Sequence, residues 1–180
     1  MRTTTTRRQA LIGGLGGIAA LAGLPRRAAA FALDTHAISL YHLHTEEKLE
    51  IVYREHGEPV PGALEEISHF LRDFRSGDRH EIDVDLLDTL AVLFDGFDRR
   101  GRFEVISGYR SPHTNEALRS KSTGVAKKSW HMSGRAIDVR LTSARTAGLR
   151  DAAISLARGG VGFYPESNFV HLDTGPVRRW

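Results

Sequence analysis

The sequence of 180 residues contains no cysteine. Disulfide bonds are therefore excluded, and so is the lipid anchor that requires an N-terminal cysteine, so the fold must hold without either. A long apolar run is also missing. The most apolar stretch, residues 10–24, is short and contains five glycines, whereas a helix that spans a bilayer needs about 20 predominantly apolar residues.

A basic surplus is missing as well, once the N-terminal region is set aside. The whole chain has a formal net charge of +3, but residues 1–32 contain five arginines and no acidic residue, which leaves −2 for the rest. The sequence therefore gives no support for nucleic-acid binding. Residues 33–180 have the length of one domain that can bury a hydrophobic core of its own.

Residues 1–32 have the organisation of an export signal. Arg7 and Arg8 precede the weakly apolar, Gly-rich run, and the small residues of "AFA" at positions 30–32 suit a cleavage site. Paired arginines before a modest apolar run favour the twin-arginine (Tat) export route. We therefore predict that the Tat machinery exports the chain, that residues 1–32 are removed, and that a soluble periplasmic protein without stable membrane insertion remains.

Hydrophobic periodicity predicts segregated strands and helices in the remaining chain. Strands are predicted on both sides of a turn at 45–48 and at 102–108, 136–141, 161–165 and 169–174. Helices are predicted from Pro61 towards Gly77, at 83–98 with Asp83 or Asp85 as the cap, at 112–120, and at 143–158 before Gly159 and Gly160. Because the two kinds of element do not strictly alternate, we predict a single α+β domain with an antiparallel sheet flanked by helices.

Two imidazoles and one carboxylate stand out near the end of the chain. His131 and Asp138 lie in "SWHMSGRAIDVRL", and His171 lies in "NFVHLDTG". Alternation within the two predicted strands puts Asp138 and His171 opposite the apolar faces. Three such ligands with a fourth position left for water are typical of a catalytic zinc, and ordinary polar residues on half-exposed strands give the same loose spacing. His42 and His44 lack a third ligand nearby, and we expect them to be surface or partly buried side chains.

These segments carry a family resemblance. "SGYRS", "HMSGRAIDV" and "FVHLD" resemble the zinc D-alanyl-D-alanine peptidases with the hedgehog-like fold, and "GGVGFYPESNFVHLDTGPVRRW" resembles the periplasmic murein endopeptidases of the K type. The similarity runs from Val105 to Trp180 and more loosely back to Ile38. It implies a zinc peptidase, with one Zn²⁺ per chain held by His131, Asp138 and His171. Such an enzyme hydrolyses peptide cross-links between peptidoglycan stem peptides, including the 3-3 type near meso-diaminopimelate. A D,D- or L,D-carboxypeptidase and a non-catalytic cell-wall-binding module are the alternatives.

The resemblance also implies roles for individual residues. Arg110 matches the family arginine that stabilises the oxyanion, or it binds a substrate carboxylate. Ser107 is expected to shape the turn beside the substrate rather than to act as a nucleophile. Trp130 and Tyr164 are candidates for lining the substrate cleft.

The general base is the position where this chain departs from its wider relatives. The residues just before His171 contain Glu166, which is too far upstream to match their acidic residue. Asp173, on the same strand face as His171, is the main candidate, either as the base or as the residue that orients a ligating imidazole. His113, near the Arg110 loop, is a lesser candidate.

Overall fold

The computed structural model describes residues 35–122 and 124–180, so the predicted export signal, residues 1–32, lies outside the described residues. Within these residues the strands are β1 (Thr35–His42), β2 (Lys48–Glu55), β3 (Glu58–Pro59), β4 (Phe103–Ser107), β5 (Ala136–Leu141), β6 (Gly160–Tyr164), β7 (Phe169–Asp173) and β8 (Arg178–Arg179). They form one sheet in the order β3-β2-β1-β4-β5-β7-β6-β8.

The helices of the described chain are α1 (Pro61–Phe70), α2 (Val84–Gly96), α3 (Pro112–Arg119) and α4 (Thr146–Leu156), with a 3₁₀ turn at Trp130–Ser133. Helix α1 packs against β2, α2 against β1 and α4, and α4 against β5, β6 and β7. This arrangement confirms the predicted α+β class. None of the described helices is long and apolar enough to cross a membrane.

The sheet is mixed rather than wholly antiparallel. Five neighbouring pairs within the described chain are antiparallel, but β1 pairs with β4 and β6 with β8 in parallel. Parallel neighbours need a long crossover, and residues 43–102 provide one between β1 and β4. Strand β7 likewise lies between β6 and β8 in the chain and lets β8 return in the same direction as β6.

Two helix ends differ from the periodicity. Helix α1 ends at Phe70, short of the predicted extension, and the Leu71 carbonyl accepts a hydrogen bond from the Tyr109 backbone at 2.8 Å. Helix α4 ends at Leu156, before Gly159 and Gly160. Gly160 instead begins β6, and its backbone N–H donates to the Asp173 carboxylate at 3.2 Å. At α1 a long-range contact replaces the predicted continuation, whereas α4 ends because Ala157 adopts a left-handed conformation with φ 50°.

The start of α2 agrees with the prediction. Asp83 caps α2 by accepting a hydrogen bond from the Asp85 backbone.

His42 in β1 is more deeply buried than expected. It is 0 % exposed, and burial together with the neighbouring His44 lowers the pKa of His42 to about 4. A neutral, enclosed imidazole of this kind is a packing residue.

Side-chain alternation in β5 and β7 separates the core from a polar face. Ile137 and Val139 of β5, and Val170 and Leu172 of β7, are buried in the hydrophobic core. The intervening residues therefore emerge on the opposite face of the sheet. The β5–β7 register pairs Asp138 with His171, so these two side chains leave the sheet side by side.

Gly134 makes the turn that connects the 3₁₀ turn to β5. It has φ 66° and ψ 16°, a left-handed conformation, and a Cβ built there would overlap the Glu81 carbonyl oxygen. The Gly134 carbonyl in turn accepts a hydrogen bond from Asp83 at 3.0 Å. The turn that feeds His131 into β5 therefore requires glycine for both its backbone conformation and its close packing.

Replacing Gly134 with alanine should lower the free energy of unfolding by about 2–4 kcal/mol, because the left-handed conformation and the overlap with Glu81 both oppose a Cβ. Denaturant unfolding of the purified protein measures this. Gly148→Ala in α4 is the matched control, since nothing lies within 4 Å of a Cβ there. Equal stability of the two variants would contradict this account of the turn.

Candidate metal centre

Three side chains predicted as ligands meet at one point. His131 from the 3₁₀ turn, Asp138 from β5 and His171 from β7 each offer a ligand atom, and these atoms all lie within 4.8 Å of one another. No other group of three or more histidine, aspartate or glutamate side chains in the described ranges has this arrangement. We call these three residues the candidate centre.

The spacing of the donor atoms fits a tetrahedral ion. His131 Nε2 lies 3.3 Å from His171 Nδ1 and 3.3 Å from Asp138 Oδ2. Ligands about 2.0–2.2 Å from a tetrahedral zinc are about 3.3–3.6 Å apart. The donor set, two nitrogens and one carboxylate, is also one that zinc prefers. The residues present therefore fit the predicted metal.

Hydrogen bonds on the far side of each imidazole fix which nitrogen faces the centre. His131 Nδ1 donates to the Gly108 carbonyl at 2.7 Å, which leaves Nε2 towards the centre. His171 Nε2 lies 3.0 Å from Asp173 Oδ2, which leaves Nδ1 2.8 Å from Asp138 Oδ1. Such partners set the tautomer and orientation of ligating histidines.

The electrostatics of the centre favour a bound cation. Burial opposes the ionisation of Asp138, but the adjacent His131 and His171 hold the pKa of this carboxyl well below its usual range. Burial would likewise lower the pKa of His171, yet its hydrogen bonds to Asp138 and Asp173 raise it to about 9. The carboxylates thus attract a positive charge to this point, which a metal ion provides without a proton.

Asp173 lies beneath His171 with every acceptor position engaged. Its side chain is 0 % exposed. Arg178 binds it with two nitrogens at 2.7 and 3.0 Å, and the backbone N–H groups of Gly175 and Gly160 donate at 2.8 and 3.2 Å. Burial opposes ionisation, but the hydrogen bonds from His171 and Arg178 hold the pKa of Asp173 well below its usual range. These contacts suit a residue that orients His171.

Arg110 borders the centre with hydrogen-bonding capacity to spare. The residue is 9 % exposed, and its Nη2 lies 3.8 Å from Asp138 Oδ2. Its Nη1 donates to Asn115 at 3.4 Å, while the buried Nε has no hydrogen-bond partner among the described residues. A guanidinium with unpaired donors beside a candidate metal site can donate to a ligand there.

Sequence reasoning missed the residue that holds the Arg110 loop. Asp73, 1 % exposed, accepts hydrogen bonds from the Ser111 backbone at 3.0 Å and from the Ser111 hydroxyl at 2.8 Å. Ser111 also caps α3 through the Thr114 backbone N–H. Burial opposes ionisation, but the hydrogen bonds from Thr114 and Ser111 lower the pKa of Asp73 to about 2. This role depends on the long-range pairing of Asp73 with Ser111, and no local sequence pattern indicates it.

A cleft of about 300 Å³ opens over the candidate centre. Arg110 lines it together with Trp130 and Tyr164, the two candidates for lining the substrate cleft. Phe169, Arg178 and Trp180 line it too, although the sequence reasoning assigned them no role. All three lie in the segment "GGVGFYPESNFVHLDTGPVRRW", which carries part of the family resemblance.

Ser107 and His113, which were predicted site residues, and Glu166, which was rejected as the base, lie away from the cleft lining. Ser107 is buried and pairs with Asp138 across β4 and β5, so it supports the centre rather than facing the cleft. His113 and Glu166 are exposed and do not belong to the described cleft lining.

Comparison with known proteins gives consistent matches. The sequence model of the family described as "Peptidoglycan L,D-endopeptidase MepK" matches residues 30–180. The proteins of that name from Escherichia coli and Shigella flexneri are each 40 % identical to this chain over 169 residues, which cover 92 % of it and 93 % of each relative. A Haemophilus influenzae protein named "Probable peptidoglycan L,D-endopeptidase MepK" is 42 % identical over 121 residues, covering 67 % of this chain and 65 % of the relative. No solved structure matches the chain.

The fold, the candidate centre and these matches define the class: a peptidase hydrolase that acts on peptidoglycan. Within that class, the chain belongs to the family described as peptidoglycan L,D-endopeptidase MepK. The predicted resemblance to murein endopeptidases is thereby confirmed.

Proposed function

We propose that this protein is a zinc-dependent endopeptidase that hydrolyses peptide cross-links of peptidoglycan, with 3-3 links at meso-diaminopimelate as its substrate. The observation that carries the proposal is the meeting of His131, Asp138 and His171 beside Arg110 in one cleft. The L,D-endopeptidase name of the relatives supports cleavage at a bond of the L,D type.

His131 Nε2, Asp138 and His171 Nδ1 would hold one zinc ion per chain. When bound, zinc supplies Lewis acidity, which activates water and polarises an amide carbonyl. The surrounding chain prepares the ligands: the Gly108 carbonyl orients His131, and Asp173 orients His171. Of the two roles predicted for Asp173, the proposal takes the orienting one, because its buried carboxylate already accepts hydrogen bonds from Arg178, Gly160 and Gly175.

Arg110 stabilises the negative charge that develops on the carbonyl oxygen during attack. Its guanidinium lines the cleft, and its position is fixed in advance by Asn115 and by the Asp73–Ser111 pairing. A donor placed before the reaction needs no reorganisation as charge develops, which is the basis of oxyanion stabilisation.

The cleft lining suits a stem peptide that bears carboxylates. Arg110, Lys128 and Arg178 give it a positive flank, and Trp130 and Tyr164 give it aromatic surface. Cationic clefts attract anionic substrates. Stem peptides are therefore the proposed partners, and Trp130 and Tyr164 the proposed contacts.

The first prediction concerns the metal. Purified protein should bind one zinc ion, and His131→Ala should abolish stoichiometric binding because it leaves only two ligands. Elemental analysis after dialysis measures the content. His113→Ala, which alters an exposed histidine of α3, should keep full zinc. Full zinc content in the His131 variant would refute the ligand assignment.

The second prediction separates the roles of Arg110 and Asp173. Arg110→Ala should lower kcat on cross-linked muropeptides by about 10²–10³ while zinc affinity is retained, because an oxyanion donor is lost. Asp173→Ala should lower zinc affinity by roughly 10–100-fold, because an orienting partner is lost.

Digestion of purified muropeptides, with product masses read out, gives the rates, and zinc titration gives the affinities. Arg119→Ala, at a half-buried helix arginine paired with the exposed Glu116, is the control and should change neither. Asp173→Ala with full zinc affinity and no activity would instead identify Asp173 as the base. Removal of only the terminal residue of a stem would identify a carboxypeptidase.

The third prediction concerns export, which belongs to the same proposal: residues 1–32 act as a cleaved twin-arginine signal and the mature enzyme works in the periplasm. Changing Arg7 and Arg8 together to lysine should block export, since the route depends on the arginine pair. Cell fractionation and immunoblotting measure this. The matched change of Arg26 and Arg27 to lysine is the control and should leave export intact. If the Arg7/Arg8 variant still reached the periplasm, the Tat route would be ruled out.

A further inference from the structure

Trp180 is held against the sheet by hydrogen bonds of both its backbone and its side chain. Its backbone N–H donates to the Val161 carbonyl at 3.2 Å, and its carbonyl accepts from Phe163 at 3.0 Å. Its indole Nε1 donates to the Tyr164 hydroxyl at 2.9 Å. The ring therefore has a defined place beside β6.

Gly162 makes that place possible. A Cβ built on Gly162 would lie 2.7 Å from Cε2 and Cζ2 of Trp180. Gly162 also pairs with His171 across β6 and β7. The indole thus rests on bare backbone directly beside a proposed metal ligand, with 5.4 Å between the ring centroids of His171 and Trp180.

This fixed ring is nevertheless half open to solvent. Trp180 is 50 % exposed, and it lines the cleft over the candidate centre. An aromatic side chain that is already immobilised loses little conformational entropy when a ligand packs on it. Neither the metal centre nor the oxyanion role of Arg110 uses this surface.

We infer that Trp180, seated on Gly162, is a specificity-determining residue that packs on the alkyl chain of the diamino-acid residue at the cross-link. The inference rests on the proposed function and names the part of the substrate that this side of the cleft recognises. The exposed part of the indole offers apolar area that suits an alkyl chain, with Arg178, paired to Asp173, at 4.9 Å from the ring centroid. Arg110 and Lys128 of the cleft lining remain for the carboxylates.

The seating on Gly162 allows a double-mutant test. Trp180→Ala should raise KM for a purified cross-linked muropeptide dimer by about 3–10-fold, with kcat changed by no more than about 2-fold. Gly162→Ala should raise KM in the same range, because the added methyl group displaces the indole. The double variant should match Trp180→Ala alone, because the methyl group then has no indole to displace.

Three controls accompany this cycle. Gly62→Ala in α1, where nothing lies within 4 Å of a Cβ, should leave KM unchanged. Val177→Ala, at an exposed residue of the same segment, should do the same. Trp180→Phe, which keeps an aromatic face, should recover most of the loss and shows that the fold tolerates a change at this position.

Four results would overturn the inference: an unchanged KM in Trp180→Ala, a loss confined to kcat, a loss of stoichiometric zinc, or additive effects in the double variant. Failure of the proposed function has a different signature, namely a zinc-loaded wild type that cleaves no muropeptide. Binding then decides the inference separately. The chain has two tryptophans, so the part of the tryptophan emission that is lost in Trp180→Phe reports on Trp180 while Trp130 stays intact, and this part should change on addition of the dimer. Unchanged emission would refute the contact.

Discussion

The pairing of Asp138 with His171 across β5 and β7 is the constraint on which the candidate site depends. The register of this pairing is determined by apolar residues on the opposite face of the sheet. Ile137 and Val139 in β5, with Val170 in β7, are completely buried. A slip of one residue in either strand would move these apolar side chains to the polar face and the ligands into the core. Burial of the core therefore also fixes the two ligands that share the sheet.

The third candidate ligand, His131, and the neighbouring Arg110 are held by contacts other than strand pairing. His131 and Arg110 come from irregular segments, which strand register does not position. Gly134 fits its turn against Glu81, and the Gly108 carbonyl accepts from His131. Asp73, far away in sequence, holds the start of α3 through Ser111. Rigid donors next to a cation site are what hydrolysis of an unactivated amide requires, because the charge must be stabilised as it forms.

The sequence predicted the parts of this arrangement that follow local periodicity or a quoted motif. Strand alternation placed Asp138 and His171 opposite the apolar faces of their strands, where the structure has them. Local periodicity did not predict the end of α1, because the Leu71 carbonyl accepts a hydrogen bond from the Tyr109 backbone N–H instead of one within the helix. It did not predict Asp73 either, and both failures have one cause.

That cause is sequence separation. Asp73 and Ser111 are 38 residues apart, and the parallel contact of β1 with β4 spans the longer crossover of residues 43–102. The cleft-facing position of Trp180 likewise depends on the β6–β8 pairing and on the bare backbone of Gly162. Contacts of this kind do not change the hydrophobic periodicity of either segment, so they cannot be predicted from one segment alone.

Anomalous diffraction at the zinc edge, from crystals of the zinc-loaded protein, is the sharpest test of the ligand assignment. One strong peak per chain is expected, about 2.0–2.2 Å from His131 Nε2, His171 Nδ1 and an oxygen of Asp138. Asp173 should stay hydrogen-bonded to His171 Nε2. A zinc ion held by other residues, or by His171 through Nε2 with Asp173 displaced, would contradict this assignment.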